Sequence, residues 1–133
     1  MKHIVTAGLM TASLALGLGA FGTAQADEAM DNEAVQTRQM LMDGIGGAMG
    51  TLGCYMKGQC ELPDGVIRNL ANGIAFSATA APAAFEPNTA DASVKTTAKP
   101  DVWTNWDDFS GRFPEMKAAA MNLAAAAGDK GAM

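Results

Sequence analysis

The sequence predicts an all-α chain built as an antiparallel helical bundle, and three observations carry that prediction. Apolar residues recur at intervals of three, four and seven through most of residues 31–127. Residues that break or end helices separate these runs, at Gly58, Pro63, Pro82, Pro87 and Gly128. No stretch alternates apolar and polar residues as a half-buried strand does.

Ahead of the bundle stands a segment of different character. Lys2 and His3 make a short basic start, Ile4 to Phe21 is apolar and small, and Ala24-Gln25-Ala26 has the small-x-small form of a cleavage site. The competing reading is a membrane anchor, because the apolar run approaches spanning length. The glycines within it and the adjoining cleavage form favour removal after Ala26. The expectation is therefore a signal peptide over 1–26 and one small periplasmic domain over 27–133, with no membrane attachment after cleavage.

The first bundle helix is predicted from Val35, Met42, Ile45, Met49, Leu52 and Met56, an a/d stripe capped by Asp31 or Asn32 and ended by Lys57-Gly58. A second helix starts at Pro63, carries Ile67, Leu70, Ile74 and Ala78, and ends at Pro82. From Ala84 to Lys99 no period survives, which predicts a loop. A third helix carries Phe109, Phe113, Met116, Ala120, Leu123 and Ala127, with a start or kink at Pro114 and a close at Gly128-Asp129.

Composition excludes several classes of function. The chain has a net charge of −5, and loss of Lys2 leaves 8 basic residues against 14 acidic ones. This balance opposes binding to nucleic acid or to an anionic membrane. His3 is the one histidine, and it leaves with the signal. The mature chain then has no Ser-His or Cys-His nucleophile and no ordinary zinc site, so it is not expected to be an enzyme. Asp107-Asp108 are neighbours that point apart on a helix and read as N-terminal helix charge.

Several short motifs now fall into an order. Arg38-Gln39 is followed by Met42, then by Gly46-Gly47-Ala48-Met49-Gly50 and Lys57-Gly58-Gln59. Thr96-Thr97-Ala98-Lys99-Pro100-Asp101-Val102-Trp103 precedes Phe109, and an alanine-rich end closes in Gly128-Asp129. In this order and spacing the chain from 31 to 133 resembles the cytochrome c-prime family, periplasmic four-helix bundles with covalent haem c. The resemblance implies electron transfer or small-gas binding and a haem pocket at Arg38, Gln39, Met42, Thr96, Thr97 and Trp103. It also implies Met40 or Met42 as a candidate distal iron ligand. The two lie two residues apart and cannot both face the ring. A homodimer through the first two helices and a periplasmic redox partner are further implications.

The family's fourth helix, which carries Cys-x-x-Cys-His, finds no counterpart in these residues. The expectation is thus an incomplete bundle of three helices that cannot attach haem in the family's manner. Two alternatives stay open: a haem-free periplasmic interaction module, and a Cu(I) binder using Cys54, Cys60 and the nearby methionines. For Cys54 and Cys60 the default in an oxidising compartment is a disulfide. A missing helix would remove six or seven buried side chains, about 10–20 kcal/mol of gross burial, against a net domain stability of about 5–15 kcal/mol. Residues 27–133 alone are therefore expected to be molten, aggregated or stabilised by pairing. Calorimetry showing one cooperative monomeric transition would contradict this.

Overall fold

The computed structural model describes residues 21–89 and 92–132, with side chains from Asp27 onward. The expected signal segment thus lies outside the described residues except for the backbone of 21–26. Three long helices and one single turn follow in order: α1 (Phe21–Met56), α2 (Asp64–Phe85), α3 (Asp101–Thr104) and α4 (Trp106–Ala125). No strand occurs among the described residues. None of these helices is long and apolar enough to cross a membrane.

Helix α2 is the shared surface. It packs against α1 and against α4, and those two helices make no comparable contact with each other. One buried cluster joins Ala48, Leu52 and Tyr55 of α1 to Ile67, Ile74 and Ala75 of α2 and Ala120 of α4. A second joins Leu41 to Ala78, Ala81, Phe85 and Phe113. Late α1 thus meets early α2 and late α4, whereas the middle of α1 meets late α2 and the middle of α4. The three long helices run antiparallel in sequence, as predicted.

The buried seam of α1 differs from the predicted stripe. Val35, Arg38, Leu41, Ile45, Ala48, Leu52 and Tyr55 are buried, a run of threes and fours. Met42, Met49 and Met56 lie one step round the helix and remain 41%, 57% and 48% exposed. Contact with α2 covers one stripe of α1, and no described element covers the flank that holds the methionines. The predicted cap at Asp31 or Asn32 is also corrected, because α1 continues through both. Asn32 Oδ1 instead accepts hydrogen bonds from Ser93 Oγ (3.1 Å) and the Val94 N–H (3.2 Å).

The end of α1 forms as the sequence suggests. Gly58 takes a left-handed φ of 67°, its N–H donates to Tyr55 O, and the Gln59 N–H donates to Cys54 O, both at 2.9 Å. The same turn brings Cys54 and Cys60 to a Cα separation of 5.5 Å, where they form a disulfide. That pairing removes both thiols from the copper reading. Met42, Met49 and Met56 lie about 10 Å apart along the helix, too far to converge on one ion.

Pro82 does not end α2 as expected, and of the two expectations for Pro114, a start or a kink, the start is ruled out. Pro82 lies inside α2, which runs on to Phe85, and Pro114 lies inside α4, which starts at Trp106. An interior proline costs about 3 kcal/mol. In each helix the residues beside it bury aromatic surface, Phe85 in one and Phe113 in the other, and each such burial returns about 1.5–3 kcal/mol. Pro63 precedes α2 as its N-cap, one residue earlier than the helix itself. After α4, Gly128 has φ 102°, and a Cβ there would stand 2.7 Å from Asp64 Oδ2. The closing turn therefore lies against the start of α2.

Ile67 is fully buried between the helices. Ile67→Ala is expected to cost about 2–5 kcal/mol, read as a lower urea midpoint of helical circular dichroism whether the folded species is single or paired.

Candidate functional site

A cleft of about 590 Å³ opens where α1, the end of α2, residues 96–99 and the α3–α4 corner meet. Its apolar wall is Met42, Phe85, Ala98, Val102 and Phe109, and its polar rim includes Asp43, Lys99, Asp101, Asn105, Asp108 and Arg112. The wall is braced by aromatic contacts. Phe109 meets Phe85 edge-on at 5.0 Å between ring centroids and Phe113 edge-on at 5.2 Å, with Trp106 at 6.0 Å. On the rim, Arg112 and Asp108 form an exposed bidentate pair one helical turn apart.

Arg38 is the buried cation of this region, 3% exposed. Its Nε donates to Ala84 O (2.6 Å), Nη1 to Thr89 Oγ1 (2.6 Å) and Nη2 to Pro87 O (2.8 Å). The guanidinium carbon lies 5.1 Å from the Phe85 ring centroid and 5.4 Å from that of Trp103. Burial pulls the group below the ordinary arginine value, and the Asp31 carboxylate pushes it back up. Among the described residues no buried side-chain nitrogen or oxygen lacks a hydrogen-bond partner.

Of the residues that the sequence nominated, Arg38, Gln39, Met42, Thr96 and Thr97 all line the cleft. Gln39 Nε2 donates to Lys95 O (3.0 Å), and Thr96 Oγ1 accepts from the Ala98 N–H (3.1 Å). Trp103 is not part of the lining. Its Nε1–H is shared between Phe85 O (2.9 Å) and Pro87 O (3.1 Å). The two candidate methionines separate cleanly: Met42 borders the cleft, whereas Met40 is 68% exposed and does not. Sequence reasoning missed Phe85, Thr89 and Val102. The expected end of α2 at Pro82 places Phe85 in a loop, and the one signal against it is its place on the Ala78–Ala81–Phe85 stripe.

The fold and site define a helical bundle with an apolar cleft between its first helix and the α2–α4 connection, and comparison makes the class specific. Residues 33–133 match the family described as Cytochrome C'. A cytochrome c-556 of Agrobacterium tumefaciens strain II Chrys is 33% identical over 86 residues, covering 65% of this chain and 68% of that relative. The cytochrome c-556 of strain apple 185 is 33% identical over 91 residues, 68% of this chain and 70% of the relative. That of strain B2A is 32% identical over 78 residues and is covered over 62% of its length. No solved structure matches significantly. The chain belongs to the cytochrome c' family of c-type cytochromes.

The family implies haem c, and the described residues fit one part of that requirement. The cleft offers apolar and aromatic walls and a thioether, Met42, which is a suitable soft donor to iron. The attachment chemistry is not met within residues 1–133. They contain no Cys-x-x-Cys-His, and no group of His, Cys, Asp and Glu among the described residues could hold a metal. Cys54 lies about 18 Å along α1 from Met42 and is bonded to Cys60.

Phe109 carries the wall through two edge contacts. Phe109→Leu is expected to destabilise the bundle by about 1–2 kcal/mol through their loss, measurable by urea unfolding, and to leave α1 and its disulfide turn intact.

Proposed function

We propose that this chain forms the helical part of the haem pocket of a periplasmic c-type cytochrome that transfers electrons, with Met42 as the side chain turned to the iron. The observation that carries the reading is the placement of Met42 in the apolar cleft beside Gln39, Thr96 and Thr97 while Met40 stands in solvent. Haem, when bound, supplies a one-electron iron couple. Phe85, Val102 and Phe109 would exclude water from a haem held in the cleft, and Met42 would offer it a sulfur donor that favours the reduced metal. No acid–base chemistry is asked of the chain, which accords with a carrier rather than an enzyme.

Residues 1–133 contain no Cys-x-x-Cys-His, so the reading is of haem held noncovalently in this cleft. Small-gas binding is the second reading, and it follows if Met42 packs over the ring without reaching the metal.

Hemin titration of the full chain separates these readings. The expected result is noncovalent uptake with a Soret band that Met42→Ala shifts and Met40→Ala leaves unchanged. Uptake with a Soret band that Met42→Ala leaves unchanged would support gas binding, and no uptake would overturn the haem reading for these residues.

A further inference from the structure

The Arg38 side chain lines the cleft, yet its hydrogen bonds run elsewhere. Three of its five N–H groups are committed to Ala84 O, Thr89 Oγ1 and Pro87 O. Pro87 O accepts from Trp103 Nε1 as well, and Trp103 also donates to Phe85 O. The cation therefore lies between two rings, Phe85 within the segment that carries its acceptors and Trp103 after the loop, and shares an acceptor with one of them. Thr89, the hydroxyl partner, is 1% exposed and does not line the cleft.

We infer that Arg38 is a positioning residue: it clamps residues 84–89 and Trp103 together, and so fixes the Phe85 and 96–99 walls of the cleft instead of anchoring a ligand. A guanidinium is suited to the task because its planar fork can reach three acceptors at once, which a lysine ammonium at the same site cannot do. The three acceptors lie on one six-residue segment, so α1 is registered against the exit of α2 and not merely packed on it. The loop from 92 to 99 is then held at both ends. Asn32 and Gln39 of α1 bond it at Ser93, Val94 and Lys95, and Trp103 is fixed just beyond it. The inference rests on the cleft being the haem pocket only for its effect on ligand affinity; the clamp itself is a property of the ligand-free chain.

The test uses the full chain with Trp106→Phe, so that Trp103 alone reports by fluorescence. Arg38→Lys is the main variant. Thr89→Val is the milder one, because it removes a single acceptor at a residue outside the cleft. The expected result is a red shift of Trp103 emission and about a tenfold faster tryptic cut after Lys95 in Arg38→Lys, with a smaller change of the same kind in Thr89→Val and helical content retained in both. Trp103→Phe should add less in the Arg38→Lys background than in the parent. Hemin affinity should fall in Thr89→Val as well as in Arg38→Lys. If Arg38→Lys weakens hemin binding while Trp103 emission, the Lys95 cut and the Thr89→Val affinity stay at parental values, Arg38 is a ligand contact and the inference is wrong. If Thr89→Val and Arg38→Lys both melt the helices, the role is fold-wide and the inference is also wrong. Failure of every variant and the parent to bind hemin would sink the haem reading alone, since the emission and cleavage results judge the clamp independently.

Discussion

Taking a guanidinium out of water is expensive unless each of its nitrogens finds an oxygen, and much of this structure follows from meeting that demand at Arg38. Two of the acceptors are backbone carbonyls freed near the end of α2, at Ala84 and Pro87, and the third is the Thr89 hydroxyl. Helix ends leave carbonyls without intrahelical partners, so the exit of α2 is the natural place to receive a buried cation. Once the contact is made, the chain leaving α2 must pass across α1 at Arg38. Trp103 closes the arrangement from the other side, and the cleft is the space left between these fixed parts.

The bundle is asymmetric in a way that bears on function. Helix α2 is covered on two sides, whereas α1 and α4 each face an uncovered flank, and the exposed methionines of α1 lie on that flank. Methionine is a tolerant packing residue, able to fit against a partner surface without demanding one shape. The small residues beside them, Gly46, Gly50 and Gly53, have open space above their Cα atoms. A helix laid there could approach the backbone closely. Cleft and flank are continuous through Met42, which lines the one and is exposed on the other.

Much of the secondary structure was legible in local sequence. The αL glycine after α1, the disulfide across that turn, the start of α2 after Pro63 and the closing glycine after α4 each depend on a few adjacent residues, whose chemistry does not need the rest of the fold. The prolines were misleading for the same reason. Read locally, Pro82 and Pro114 are interruptions; in the folded chain the burial of Phe85 and Phe113 beside them offsets the lost hydrogen bonds. The cleft was legible in its α1 and Thr96-Thr97 parts, through resemblance, and illegible in Phe85 and Val102.

By itself the sequence determined the helical class, the family, the turn chemistry and the nomination of Arg38, Gln39 and Met42, all of which line the cleft. These rest on periodicity and short motifs, which are properties of neighbouring residues. Tertiary structure alone decided which face of α1 is buried, which of Met40 and Met42 meets the cleft, and that Trp103 binds backbone carbonyls outside the cleft lining. Each of those outcomes turns on what stands opposite a side chain, and residues 46 to 51 positions apart, such as Arg38 with Ala84 and Thr89, are brought opposite one another only by the fold.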